Sequence, residues 1–143
     1  MDRDPYNLKR FLLAQDPLID RVCAELAAGH KRSHWMWFIF PQLRGLGSSS
    51  IAQRYAIGSL DEARAYLAHP TLGERLRSCT RLVNGVTGRT VEEIFGYPDY
   101  LKFRSSMTLF ARAAAERGEP FEPALARYFA GEADPLTREL LDA

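Results

Sequence analysis

Residues 59–83, SLDEARAYLAHPTLGERLRSCTRLV, decide the fold class of this chain. Ser59 followed three residues later by Glu62 is a capping box, in which two side chains satisfy free N–H groups of a first helical turn. The pair His69-Pro70 ends that helix, since proline cannot continue one. Apolar residues then recur at the three- and four-residue spacing of one helix face: Leu72, Leu76, Cys79, Leu82 and Val83. The stretch therefore predicts two consecutive amphipathic helices.

Similar helical signals lie on both sides of this stretch. Asp16 before a proline predicts a helix with Asp16 as its N-cap. Thr90 and Glu93 form a second capping box, and Asp134 before another proline begins the last helix. No segment alternates apolar and polar residues with the period of a half-buried strand.

One apolar segment, SHWMWFIF at residues 33–40, is too short for its periodicity to separate a buried strand from a buried helix. Its helical neighbours favour a short helix that ends at Pro41. We therefore predict an all-α fold, a single irregular bundle of about eight helices that occupies residues 1–143 as one domain.

The charge balance narrows the range of partners. Lys and Arg number 19 against 18 Asp and Glu, a formal net charge of +1, which argues against a nucleic-acid partner. The polar N-terminus shows no secretory signal, and the longest apolar run, residues 35–40, is far too short to span a bilayer. We expect a cytoplasmic protein with no membrane association.

Metal and cofactor chemistry finds little support in the sequence. His30 and His34 stand four residues apart, but Gly29 and Ser33 favour a helix break there, and no further ligand follows at a suitable spacing. Because the only two cysteines lack metal or C-x-x-C spacing, we expect them to be buried free thiols. We predict no metal and no cofactor.

The tryptophan-rich segment KRSHWMWFIFPQL, residues 31–43, makes the chain resemble a known family. Four more segments contribute to the resemblance: DPYNL at 4–8, QRY at 53–55, EARAYL at 62–67 and KFRSSMTLF at 102–110. Together they resemble domain-of-unknown-function family 1810, over nearly the whole chain. The resemblance implies an all-α fold and brings no catalytic residues. Family members often carry the name calpastatin, whose inhibitory segments are disordered, whereas this composition is globular.

The same tryptophan-rich segment is the first candidate site. Aromatic side chains follow directly on cationic ones, a combination that suits a planar ring carrying phosphate. The candidate ligand-binding residues are Lys31, Arg32, Trp35, Trp37 and Gln42. His34 is the nearby group that titrates close to neutrality, so it is the candidate general acid or base. Large aromatics also dominate protein cores, and a purely structural role for most of these rings stays open.

Two further segments supply candidate binding groups. The helix predicted after Asp99 carries Lys102, Arg104, Ser105 and Ser106, which would present donors to an anion; its hydroxyls would equally suit close helix packing. The Gly/Ser-rich loop at residues 45–50 leads to Arg54 and Tyr55, another cation beside an aromatic ring. Such a loop can bind an anion at a helix N-terminus or simply be a surface loop.

Two functions of different classes fit these patterns. In the first, the protein binds an anionic nucleotide-like small molecule, with or without acting on it, in an aromatic and basic pocket formed by the candidate segments. In the alternative, it is a non-enzymatic module whose aromatic motif and glycine-rich loop bind a protein partner. A concave pocket would favour the first function, and an exposed apolar patch would favour the second.

Overall fold

The computed structural model describes residues 3–143; Met1 and Asp2, part of the polar N-terminus considered above, lie outside the described residues. This part of the chain contains ten helices and no strand. The helices are α1 (Lys9–Gln15), α2 (Ile19–Ala27), α3 (Met36–Ile39), α4 (Ser50–Arg54), α5 (Leu60–Ala68), α6 (Pro70–Asn84), α7 (Val91–Phe95), α8 (Asp99–Ala113), α9 (Phe121–Phe129) and α10 (Pro135–Asp142). The all-α prediction is confirmed, but ten helices replace the expected eight or so.

The additional helices are short ones. The Gly/Ser-rich loop leads into α4, a single turn whose first N–H groups are satisfied by Ser49, since the Ser49 hydroxyl accepts a hydrogen bond from the Ala52 N–H at 3.1 Å. Segment 33–40 forms the one-turn helix α3 just before Pro41, as the helical interpretation predicted. Helices this short are stabilised by their tertiary contacts, because one turn has little intrinsic stability in water.

The predicted caps form at three helices, although at α5 only the Ser59 half of the predicted capping box is present. The Ser59 hydroxyl accepts from the Glu62 N–H at 3.1 Å, and Asp134 accepts from the Thr137 N–H at 3.1 Å. At α7 both halves of the capping box form, because Thr90 accepts from the Glu93 N–H and the Glu93 carboxylate accepts from the Thr90 N–H. These local signals begin helices where the sequence places them.

The prediction that Asp16 caps α2 is wrong. Helix α2 begins at Ile19 with Leu18 at its N-cap, and no side chain among residues 3–143 caps it. Asp16 instead ends α1, and its carboxylate accepts a hydrogen bond from Arg75 of α6 at 2.8 Å. The Asp16 carboxylate therefore forms an ion pair with a residue distant in the sequence instead of the local helix cap that the pattern predicts.

Helix α8 occupies the centre of the bundle, in contact with α5, α7, α9 and α10. Its Phe103 is fully buried and meets the ring of Phe40 edge-on at 5.0 Å and that of Phe95 in a stack at 4.7 Å. Aromatic contacts of this geometry add to the stabilisation that burial provides. They pack the tryptophan-rich segment directly against α8.

Leu43 and Ile57 form an isolated parallel bridge that ties the chain after α3 to the chain after α4. None of the described helices is long and apolar enough to cross a membrane.

Candidate anion-binding cleft

Glu25 of α2 fixes the beginning of the tryptophan-rich segment. Its carboxylate accepts hydrogen bonds from the Arg32 N–H at 2.7 Å, the Ser33 N–H at 3.0 Å and hydroxyl at 2.6 Å, and the Trp35 indole N–H at 3.0 Å. Burial alone would raise the pKa of Glu25, but these donors outweigh it and hold the pKa at about 2. The Trp35 ring is fully buried, so its indole serves this network.

Lys31 and Lys102 share one carboxylate. The Lys31 ammonium lies 2.9 Å from an Asp99 carboxylate oxygen, and the Lys102 ammonium lies 3.4 Å from the other oxygen. The Lys102 ammonium also sits over the ring of Trp37, 4.8 Å from its centroid. The two candidate segments therefore meet, but through internal contacts that satisfy their charges.

The space around Trp37 is too small for a ligand. Trp37, Gln42, Gly47 and Tyr55 line a gap of only about 10 Å³. A cavity needs roughly 10–15 Å³ to hold even one water molecule. The aromatic wall predicted from residues 35–42 is thus closed by packing in this conformation.

The polar residues of α8 contact the connection between α9 and α10. Arg104 donates to the carbonyls of Glu132 and Ala133 at 3.0 and 3.1 Å. Ser105 donates to the Asp134 carboxylate at 3.2 Å, whereas the Ser106 hydroxyl is buried without a hydrogen-bond partner among residues 3–143. These contacts position α10 against α8.

Arg32 and His34 have exposed side chains, and neither lines the cleft that lies between α1 and α4. Within the described part of the chain, no group of three or more His, Cys, Asp or Glu side chains is arranged to hold a metal ion. Both cysteines are free thiols, Cys79 buried and Cys23 half-buried. The predicted roles of Arg32 in binding and of His34 in catalysis stay predictions.

The other two candidates, Arg54 and Tyr55, line a cleft between α1 and α4. Its volume is about 550 Å³, within the usual range of about 300–1,000 Å³ for small-molecule sites. The lining residues are Asn7, Lys9, Arg10, Leu13, Ala14, Arg54 and Tyr55. Three of the seven are cations and none is a carboxylate, so the lining favours an anion.

Arg10 joins the two walls of this cleft. Its guanidinium donates to the carbonyls of Tyr6 and Asn7 at 2.6 and 2.9 Å on one wall. On the other wall it donates to the carbonyls of Arg54 and Ala56 at 2.9 and 2.8 Å. The rigid fork of an arginine side chain makes this set of bonds possible, and the bonds fix the two walls relative to each other.

The charge of Arg10 is already balanced. Its guanidinium lies 2.8 Å from the buried carboxylate of Glu62, which also accepts from the Gly58 N–H at 3.0 Å. By contrast, neither Lys9 nor Arg54 forms an ion pair with any residue of the described chain. Two positive charges are therefore available to a ligand.

Tyr55 provides a fixed aromatic surface in the same cleft. Its ring packs 5.9 Å from the ring of Phe11 and 5.4 Å from that of Phe38, measured between centroids. The guanidinium of Arg54 lies over the same ring at 5.6 Å. Leu13, which is 65% exposed, adds an apolar surface to the cleft.

The sequence pattern identified Arg54 and Tyr55 but missed the five cleft residues on and beside α1: Asn7, Lys9, Arg10, Leu13 and Ala14. Asn7 adopts a left-handed backbone conformation, φ 51°, that few residues other than glycine take easily. The segment at 4–8 contributed to the family resemblance, yet nothing in it indicated chemistry. A useful signal would have been Lys9 and Leu13, which share one face of α1 because they are four residues apart.

Comparisons with known proteins give a family and a fold. A family model described as "Protein of unknown function (DUF1810)" matches residues 5–141. The chain is similar to the conserved hypothetical protein Rv1873 from Mycobacterium tuberculosis, with a TM-score of 0.95 and 58% sequence identity to its crystal structure. That match covers 98% of this chain and 99% of the other. A search among curated proteins found no match.

Proposed function

The chain belongs to this family of proteins of unknown function (DUF1810), and we propose from its own geometry that it binds an anionic, nucleotide-like small molecule in the cleft between α1 and α4. The observation that carries the proposal is the pair of uncompensated cations, Lys9 and Arg54, beside the fixed ring of Tyr55. The resemblance to Rv1873 supports the fold, whereas the class of ligand is inferred from the cleft residues of this chain.

Each element of such a ligand has a matching group in the cleft. Arg54 can donate two parallel hydrogen bonds to a phosphate, and Lys9 can add a point charge. A heterocyclic ring stacked on Tyr55 would contribute about 1–3 kcal/mol, by analogy with bases stacked on aromatic side chains. Asn7, at the rim, carries an amide that can both donate and accept.

The cleft is better suited to binding than to catalysis. Its seven lining residues include no histidine, cysteine or carboxylate, which are the side chains that most often act as a general base or nucleophile near neutral pH. The proposal is therefore a cytoplasmic binding protein, with an enzymatic role for His34 kept as a separate hypothesis. That hypothesis would need His34 to contact a ligand bound elsewhere on the molecule.

Thermal unfolding with a ligand panel tests the proposal. The panel contains nucleoside monophosphates, the matching nucleosides and inorganic phosphate, so that the ring and the phosphate are tested separately. A ligand at about 100 times its Kd adds roughly 2.7 kcal/mol of stability, which raises the Tm of a domain this size by several degrees. We expect the ring-bearing phosphates to give the largest shift.

Variants locate the binding site. Arg54→Ala and Lys9→Ala should each remove most of the shift, whereas Arg64→Ala, an exposed arginine of α5 paired only with Asp61 at 3.5 Å, should keep it. The shift should also shrink with added salt, because exposed charges are screened. An undiminished shift in both cleft variants would contradict this assignment.

The alternative function, a non-enzymatic protein-interaction module, is supported by one different observation. Tyr97 is 80% exposed and lies 6.2 Å from the ring of Tyr100, with the partly exposed Leu101 close by in the chain. Exposed aromatic residues are common anchors of interfaces. A flat response to the whole ligand panel, together with capture of a protein partner that Tyr97→Ala no longer holds, would favour this function.

A further inference from the structure

A second cavity brings together the only two cysteines of the chain. It lies between α2 and α6, has a volume of about 310 Å³ and is lined by Cys23 and Cys79 together with Ile19, Thr71, Glu74, Arg75 and Ser78. Cys23 is half-buried and reachable from the cavity, whereas Cys79 is only 1% exposed. The two thiols therefore differ in access although they share one space.

The surroundings of the Cys79 thiol disfavour its ionised form. Burial raises the pKa of the Cys79 thiol far above its ordinary value, and the neighbouring Cys23 thiol adds to that rise. Arg75 acts in the opposite direction and lies close by, held by the Asp16 carboxylate at 2.8 Å. Because Cys23 is the more exposed of the two, it is the thiol that a soluble oxidant reaches first, and Cys79 lines the same cavity.

We propose that Cys23 and Cys79 form an intramolecular disulfide when the protein meets a peroxide, which makes the α2–α6 interface a site of reversible oxidation. The inference is independent of the proposed ligand, because neither cysteine lines the cleft between α1 and α4. It adds a redox response to a chain whose cysteines are both free in this structure.

The reaction balances in two steps. The Cys23 thiolate attacks one peroxide oxygen, the O–O bond breaks, and the released hydroxide takes the proton that Cys23 lost, which gives a sulfenic acid and one water. The Cys79 sulfur then attacks the Cys23 sulfur, the S–O bond breaks, and the leaving hydroxide takes the Cys79 proton as a second water. The two thiols supply the two electrons that reduce the peroxide.

The disulfide would have a measurable effect on stability. It would close a loop of about 55 residues that contains α3, α4 and α5. Constraining a loop of that length in the unfolded chain should raise the Tm by roughly 5–15 °C. Treatment with a dithiol reductant should return the Tm to its starting value.

Peptide mapping tests the proposal directly. Trypsin should release Cys23 in the peptide 22–31, VCAELAAGHK, and Cys79 in the peptide 78–81, SCTR. After mild hydrogen peroxide treatment and blocking of free thiols, we expect one species with the summed mass of both peptides less two hydrogens. The wild-type protein serves for this measurement, so no variant has to fold.

Other products would overturn the proposal. These are Cys23 oxidised to sulfinic acid while Cys79 stays a free thiol, a disulfide-linked dimer on a non-reducing gel, or no reaction at either cysteine. Cys23→Ser provides the control for the Tm shift, since this variant should show none with peroxide. A shift of equal size in Cys23→Ser would likewise contradict the disulfide.

Discussion

Glu25 fixes a whole segment through a single carboxylate, and its hydrogen bonds make a pH-dependent prediction. Its folded pKa of about 2 lies below the ordinary value of 4.5. The ionised Glu25 carboxylate therefore stabilises the fold by up to about 3 kcal/mol. This stabilisation is fully present above pH 4.5 and is lost as the pH falls towards 2. Glu25→Gln should be less stable than wild type at pH 7, by a difference that shrinks below pH 4.5.

Urea unfolding between pH 7 and pH 2.5 measures this difference. Glu139→Gln is the matched control, because Glu139 is exposed on α10 and accepts no side-chain hydrogen bond from residues 3–143. That variant should follow the wild-type curve at every pH. A Glu25→Gln difference that stays constant down to pH 2.5 would show that the carboxylate is not stabilised as the geometry indicates.

Gly73 provides the second prediction at the scale of a residue. A Cβ added at Gly73 would lie 2.2 Å from the Leu67 carbonyl oxygen, so the α5–α6 junction would have to move. We expect Gly73→Ala to lower the free energy of unfolding by about 1–3 kcal/mol, as overpacking usually does.

Gly85 is the control for Gly73. A Cβ there meets nothing closer than 3.4 Å, and the backbone has an ordinary φ of −84°. Gly85→Ala should be neutral or slightly stabilising in the same urea titration, because alanine restricts the unfolded chain. Equal losses in both variants would contradict the close approach at Gly73.

At the scale of the elements, local signals predicted helix starts well and side-chain partners poorly. Thr90 and Glu93 form the whole capping box. At α5 only the Ser59 half forms, since the Glu62 carboxylate turns to Arg10, 52 positions away in the sequence. Arg10 and the Gly58 N–H together take the Glu62 carboxylate that the predicted box assigns to the Ser59 N–H, and no pattern within a few residues indicates Arg10 as a partner.

Only the Arg54 and Tyr55 side of the cleft could be predicted, because the sequence pattern does not show which distant residues come together. Arg54 and Tyr55 are adjacent, so their pairing is visible in the sequence, whereas Lys9 reaches the cleft from a different helix. The tryptophan-rich segment suggested an open aromatic wall, but Glu25 and Asp99 occupy the donors that a ligand would need. Composition identifies such groups without showing which of them are already paired.

Arg10 supports the prediction that belongs to this scale. Arg10→Lys keeps the charge opposite Glu62 but cannot reach four carbonyls on two walls. We expect a loss of about 2–4 kcal/mol in unfolding free energy and much faster amide hydrogen exchange in residues 50–57. Arg54→Lys is the control, since the side chain of Arg54 joins no walls. Unchanged exchange in Arg10→Lys would contradict the bridging role.

At the scale of the whole molecule, contacts distant in sequence join the first and last parts of the chain. The segment after α2 meets α8 through the Phe40–Phe103 ring contact and through the ion pair of Lys31 with Asp99. The ring contact is apolar and contributes by burial. The ion pair contributes in another way. The Lys31 side chain is only 8% exposed, so burying its charge is favourable only while the Asp99 carboxylate lies beside it.

Asp99→Asn should therefore destabilise the fold as a whole. Removing one partner leaves the Lys31 ammonium buried without its carboxylate, and we expect a loss of about 2–4 kcal/mol. Asp61→Asn is the matched control, because both aspartates lie in the first turn of a helix, while the Asp61–Arg64 pair is mostly exposed and 3.5 Å long. That control should lose less than about 1 kcal/mol.

Urea unfolding followed by tryptophan fluorescence and by far-ultraviolet circular dichroism measures both variants. If the Asp99 pair joins the two parts of the chain, the two signals should shift together to lower urea in Asp99→Asn; a shift in fluorescence alone would restrict the effect to the segment around Trp35 and Trp37.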